Sequence, residues 1–333
     1  MESSKGTEGL AGEIEVEAYR RLFPLPFYER HLLESVRPDA RPLNRARDTT
    51  VALGPVASAD GSALVKIGDT TMLAAIKLEV MIPSADAPDE GSLAIEFHMP
   101  PICSPSVRSG RPAEVAPVIS QRLSDVITSS EMINLNELSL ISGKAAWMAY
   151  LDIYCLNADG CLFDAALLSA VAAFSHLQIP LVSVNDDGRV VAVSGELTEG
   201  KSKLELVNKE KRKLSLRSKP FSLTCILHEK YILADPNSEE ESIMDTFVTV
   251  VLDSWGQLVS IYKPGGAVLA NMSTIKACIA VAKSRVKELN NILNESLSEM
   301  EVIDYYSKKS VVAQLHADKP PKEVTSEVQK SLS

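Results

Sequence analysis

Residues 145–177 read AAWMAYLDIYCLNADGCLFDAALLSAVAAFSHL, and this stretch decides the fold. Ala145–Leu156 is rich in apolar and aromatic residues and predicts a strand. Asn157-Ala158-Asp159-Gly160 supplies turn chemistry. Leu162–Leu177 is an Ala/Leu-rich segment, apolar nearly all round, which predicts a helix buried between two layers. A strand that turns into a helix covered on both sides calls for further sheet on each flank.

Working outward, both flanks supply it. Towards the N-terminus, Thr49–Gly54, Ala63–Ile67 and Thr70–Val80 are β-branched and apolar. Ala59-Asp60-Gly61-Ser62 and Gly68-Asp69 separate them, which predicts an antiparallel meander. Before it stand two short helices, Glu13–Leu22 and Phe27–Ser35, and an extended Arg37–Pro42. Pro83–Pro112 carries six prolines and no helical period, so it is expected to be a long functional or interface loop. Val115, Val118, Ile119, Leu123, Val126 and Ile127 then fall at helical spacing, interrupted only by Arg122.

Towards the C-terminus the pattern repeats. Leu181–Val184, Val190–Val193, Lys203–Val207, Phe221–Leu227, Tyr231–Ala234, Thr246–Asp253 and Leu258–Tyr262 are expected strands. Ile275, Ile279, Ala282, Val286, Leu289, Leu293 and Leu297 form one helical stripe. The reading is an α+β protein of two similar halves. Its expected divisions are an arm over 1–47, a first domain over 48–189, a second over 190–306, and a polar, disordered tail over 307–333.

The chain has 333 residues, 45 % hydrophobic and 23 % charged, with a formal charge of −10. Such a net charge argues against a stand-alone nucleic-acid clamp, whose field is usually positive. Ala165–Phe174 is too short to span a bilayer and the first residues lack a secretory pattern, so no membrane association is expected. Five widely spaced cysteines (103, 155, 161, 225 and 278) are expected to be reduced core residues, which implies a reducing compartment.

No phosphate loop, dinucleotide fingerprint, nucleophile elbow or zinc-protease motif is present. The five histidines stand isolated, with His176 expected to cap or pack. Asp235 and Glu239-Glu240-Glu241 are expected to form a solvated turn and the first turn of a helix. Asp159 and Asp164 are expected to cap the buried helix. Three basic runs remain. They are Arg37, Arg41, Arg45 and Arg47; Arg108 and Arg111; and Lys209, Lys211, Arg212, Lys213, Arg217 and Lys219. Of these, Arg108 and Arg111 are the candidate RNA contacts, because Gly110 and Pro112 shape a loop that presents their guanidinium forks.

Several of these motifs, taken in order, resemble a known family. Arg37-Pro38-Asp39-Ala40-Arg41, Ala59-Asp60-Gly61-Ser62-Ala63 and Gly68-Asp69-Thr70 are similar to the opening of ribonuclease PH-type proteins. Pro100-Pro101-Ile102-Cys103-Ser104, Arg108–Pro112 and Asp159–Ala165 resemble the RNA exosome ring subunits of that family. Leu233-Ala234-Asp235-Pro236 and Lys263-Pro264-Gly265-Gly266 complete the likeness over roughly 25–300.

The resemblance implies a ribonuclease PH-like fold of β-α-β-α type, similar to ribosomal protein S5 domain 2, with a second, smaller α/β subdomain. It implies a hetero-oligomeric ring of similar subunits, RNA-binding cap proteins, and single-stranded RNA in a central channel. It also implies RNA processing and decay in nucleus, nucleolus and cytoplasm. Active members use inorganic phosphate to cleave RNA from its 3′ end, and hold it with a Gly-Thr-Arg run after the Asp-containing turn. Here that run reads Cys161-Leu162-Phe163. Losing one such donor commonly costs roughly 3 kcal/mol of transition-state stabilisation. Asp187 and Asp235 lack the flanking context of the family's catalytic pair. No catalytic residue, cofactor or metal ligand is therefore assigned. The expectation is a non-catalytic ring subunit, with an active exoribonuclease and a purely architectural subunit as alternatives.

Overall fold

Period-two alternation builds the first sheet in the computed structural model, which describes residues 14–111, 113–184, 190–192, 205–206 and 212–317. Strands β1 (Thr49–Leu53), β2 (Gly61–Ile67) and β3 (Thr70–Met81) form the antiparallel meander expected from their turns. Next, β3 pairs antiparallel with a strand at Ala145–Asn157. Along that strand Trp147, Ala149, Leu151, Ile153 and Cys155 turn inward, while Tyr150 and Tyr154 stand exposed on the other face.

The expected loop over Pro83–Pro112 is corrected. Ser92–His98 forms strand β4, and it runs parallel to the Ala145–Asn157 strand at the sheet edge. Leu93, Ile95 and Phe97 alternate as a strand should, but proline-rich flanks conceal so short a signal. Ser139–Ile141 (β5) adds a short pairing to the central strand, hereafter β6.

Helix α4 (Leu162–His176) follows β6 and is buried from Phe163 to Phe174. One side lies on β2 and β3; the other meets β12 (Phe221–His228) of a second sheet. That sheet has the antiparallel order β13 (Tyr231–Ala234), β12, β14 (Phe247–Leu252), β15 (Leu258–Tyr262). Helix α6 (Met272–Ala317) packs on β1, β12 and β14, so α4 and α6 lie between the two sheets. Its stripe residues Ala282, Val286, Leu289 and Leu293 are buried there. Helix α3 (Val115–Ser129) covers β4.

Both faces of β12 are covered. Phe221, Leu223, Cys225 and Leu227 enter the central core. Ile226 faces the other way, into a cluster with Phe27, Tyr28, Leu32, Leu233 and Met244. The arm therefore has a packing role. Residues 14–22 form α1, Pro24–Leu33 forms α2, and the apolar side of α2 seals the outer face of the second sheet. Pro24 stands at the start of α2, where its missing N–H leaves nothing unpaired.

Short pairings complete the fold. Gln178–Ile179 (β7) joins Arg212–Lys213 (β11), and Val182–Val184 (β8) joins Val190–Ala192 (β9) and Glu205–Leu206 (β10). The turn expected at Asn185–Gly188 lies outside the described residues. The expected tail differs too: α6 continues as helix to Ala317, beyond position 307. All five cysteines are free and buried.

Candidate functional site

The acidic and basic runs seen in the sequence meet each other. Strand β13 ends at Ala234, and Asn237 with Glu240 forms a capping box that starts α5 (Ser238–Ile243). Asp235 precedes it and is 2 % exposed. Arg47 donates to it three times: from its backbone N (2.7 Å) and Nε (3.0 Å) to Oδ2, and from Nη2 to Oδ1 (2.8 Å). The Arg41 Nη1 lies 3.7 Å from the same carboxylate. Arg37, 1 % exposed, reaches Glu240 at 3.4 Å and donates to the Leu43 carbonyl at 3.0 Å. Gly68 makes this possible, because a Cβ there would lie 2.4 Å from the Arg47 side chain.

One expectation is corrected here. The acids Asp235 and Glu240 are buried rather than solvated, and Arg37, Arg41 and Arg47 of the first basic run are occupied by them. Only Arg45 of that run is exposed, 3.8 Å from Asp48. Burial alone would lift the Asp235 carboxyl, but the Arg47 bonds and charge outweigh it and hold the carboxyl below its usual range. For Arg47 burial acts against the cation, and Asp235 reverses it, leaving the guanidinium pushed up.

The turn after β6 is fastened into this network. Thr70 Oγ1 donates to the Gly160 carbonyl at 2.8 Å. Gly160 has φ 75°, and a Cβ would sit 2.6 Å from the backbone of Pro236 and Asn237. Only glycine lets the first half approach the second so closely. Cys161 keeps a left-handed backbone, φ 49°, although it carries a side chain. Its N–H donates to Glu241 Oε1 at 2.8 Å. A carboxylate of this chain thus takes an orphan donor at the start of α4, the kind of position that suits an anion.

Neither Asp159 nor Asp164 caps α4, contrary to expectation. Asp159 accepts from Ser238 Oγ at 2.7 Å and pairs with Arg47 at 3.2 Å. Asp164 accepts from the Thr224 N–H (2.6 Å) and Oγ1 (3.1 Å), reaching β12. Both carboxylates bind the two halves together, and the N–H of the left-handed Cys161 goes to Glu241 instead.

Burial raises the Glu241 carboxyl to about 7, with the Cys161 N–H and Arg47 opposing it. Burial also pushes the Cys161 thiol well up. A thiol at a helix start is often activated; this one is protonated and shielded.

Phe163 has a partner that the sequence did not suggest. The Arg122 guanidinium lies 4.0 Å from the Phe163 ring centroid and 3.9 Å from that of Tyr262. The one residue that interrupts the α3 stripe is sandwiched between two rings, from α4 and β15. It borders a hollow of about 240 Å³ with Asp125, Ser129, Val251 and Ser260. Replacing Arg122 with Met is expected to lower stability by about 1–2 kcal/mol, the range for a partly desolvated cation on aromatic faces. Equilibrium urea unfolding checks this, and an unchanged midpoint would reject the stacking role.

Arg108 and Arg111 occupy an exposed loop, as expected, around a hollow of about 300 Å³ with Met99, Ser106, Val107 and Glu114. Arg111 is held by Glu114 at 2.8 Å. Pro112 lies outside the described residues. In the third basic run, Lys213 pairs with Glu301 at 2.8 Å, Arg217 lies 3.8 Å from Glu131, and Lys219 donates to Asn294. Lys209, Lys211 and Asp187 lie outside the described residues.

The sequence singled out no partner for Glu241 or Arg122 and gave no sign of Thr224. Their partners are far away in the chain, and only the Asn237/Glu240 capping box carried a local signal.

Two domain models of one family match the chain. The 3′ exoribonuclease family, domain 1, matches residues 45–180, and domain 2 of the same family matches residues 219–285. The chain is 30 % identical to the exosome complex component rrp43 of Schizosaccharomyces pombe, over 80 % of this chain and 94 % of that protein. It is 35 % identical to the exosome complex component Rrp42 of Methanopyrus kandleri, over 68 % of this chain and 79 % of that one. Among solved structures, a chain of the Archaeoglobus fulgidus exosome with RNA bound to the active site superposes with a TM-score of 0.69. The identity is 27 %, covering 84 % of this chain and 98 % of that chain.

Proposed function

Because the chain belongs to the 3′ exoribonuclease (ribonuclease PH) family, we propose that it is a ring subunit of an RNA exosome that performs no phosphorolysis itself. One observation carries the second half of that reading. At Cys161-Leu162-Phe163, where active relatives hold phosphate, the backbone donor is taken by Glu241 and the aromatic ring by Arg122. The turn is used to join the two halves, and its cations are spoken for. As a ring subunit it would hold similar subunits beside it and RNA-binding cap proteins above, around a channel for single-stranded RNA. Its work would be RNA processing and decay in nucleus, nucleolus and cytoplasm, where five reduced cysteines are stable.

The test is direct. The purified chain, incubated with RNA and inorganic phosphate, is expected to release no nucleoside diphosphate. Release by the chain alone would restore the rival reading of an active exoribonuclease.

The exposed Arg108 and Arg111 are the proposed RNA contacts. In a reconstituted ring, Arg108→Ala with Arg111→Ala is expected to weaken RNA binding. The slope of log affinity against log salt should fall by about 1.4, the share of two phosphate contacts on a single strand. An unchanged slope would favour a purely architectural subunit, a reading that the Arg111–Glu114 pair supports.

A further inference from the structure

The open face of the first sheet carries a second cluster of donors, outside the Cys161 turn. Strands β4 and β6 run parallel, with Glu96 opposite Asp152 and His98 opposite Tyr154. Glu96 and His98 are two apart on one strand, so their side chains share a face. Two carboxylates are thus placed directly across from each other, an arrangement that destabilises a sheet unless a cation lies between them. Among the described residues neither carboxylate is paired with a lysine or arginine; the side chain beside both is the His98 imidazole.

The geometry is close to that of a coordination shell. His98 Nε2 lies 3.5 Å from Glu96 Oε2 and 3.8 Å from Asp152 Oδ1. One donor atom from each of the three residues lies within 4.8 Å of the other two. Tetrahedral ligands with bonds of about 2.1 Å stand about 3.4 Å apart, so small side-chain rotations suffice to close the shell. The Tyr154 ring stacks on His98, centroids 4.7 Å apart and planes at 24°, and fixes the plane of the imidazole. Hydrogen-bonded strands hold all three residues on a rigid base.

We propose that Glu96, His98 and Asp152 bind one divalent transition-metal ion of the zinc type, with the remaining position open to water. The imidazole nitrogen sets this class apart from magnesium and calcium, which take oxygen donors. The three ligands belong to sheet residues outside the Cys161 turn, so this inference stands independently of the subunit's catalytic status.

Titration calorimetry of the metal-free, full-length chain with zinc chloride is expected to show one saturable site in the micromolar range. His98→Gln and Asp152→Asn should each weaken it at least about tenfold, since even outer-shell changes cost that much. Both positions are partly exposed, and an unaltered circular dichroism spectrum verifies that each variant folds. Absence of saturable binding below millimolar zinc would overturn the proposal. So would affinity untouched by both substitutions, or complete competition by millimolar magnesium, which would indicate carboxylates acting without the imidazole.

Discussion

Asp235→Ala is expected to lower the folding stability of this chain by about 3–5 kcal/mol, the usual effect of removing one partner from a buried ion pair. The loss arises from what remains. Arg47 would keep its buried guanidinium with two donors suddenly unmatched and its backbone N–H as a third, and Arg41 would lose the same carboxylate. Arg285, which donates to the Arg47 carbonyl at 3.2 Å, ties the disturbance to α6. Urea denaturation followed by circular dichroism measures the change. A shift below about 1 kcal/mol would show the network to be solvated and weak, as exposed pairs are. Removing both charges, with Arg47→Met and Asp235→Leu, is expected to recover a large part of the loss, because no unpaired charge is then left inside.

The direction with pH follows from the Asp235 carboxyl being held below its ordinary 3.8. Its contribution is present above the unfolded value and disappears as pH falls through the lower, folded one. Acid therefore loosens the junction between the halves.

Glu241 behaves in the opposite sense, and Glu241→Gln is the second large expected effect. This carboxyl is raised from 4.5 to about 7 by burial. The folded chain retains the proton that the unfolded chain releases, so stability is greatest below about pH 4.5 and declines as pH rises towards 7. The full shift corresponds to about 3 kcal/mol, reduced to about 2 kcal/mol because the side chain keeps some contact with water. Glutamine retains an oxygen for the Cys161 N–H and has no proton to lose. The variant should match the parent near pH 5 and exceed it by about 2 kcal/mol near pH 8. Scanning calorimetry at the two pH values decides this; parallel pH slopes for parent and variant would exclude Glu241 as the source.

These two carboxylates also show what a sequence can and cannot disclose. The strand, turn and helix of residues 145–177 were legible because alternation and an apolar helix are local signals. Strand β4 was not, since Leu93, Ile95 and Phe97 give only a brief alternation among prolines. The charged runs were visible as runs, but their meaning depended on fold geometry that sets residue 47 against residue 235. Nothing in local periodicity reports such a pairing, so a solvated acidic turn was the natural expectation and the first basic run had no assigned role. Phe163 was recognisable as a replacement through family resemblance, whereas Arg122 gained significance only when α3 and β15 placed it between two rings. Likewise His98 stood alone in the sequence until the β4–β6 register set Glu96 and Asp152 around it.

The seal that α2 forms over the second sheet bears on the order of events during synthesis. Phe27, Tyr28 and Leu32 leave the ribosome early, yet Ile226, Leu233 and Met244, against which they rest, are made some two hundred residues later. A nascent chain must carry that oily patch uncovered throughout the interval, when exposed apolar surface invites aggregation. Protection of that patch by chaperones during translation, needed until residue 244 has emerged, is the expected consequence of closing the beginning of the polypeptide over its far end.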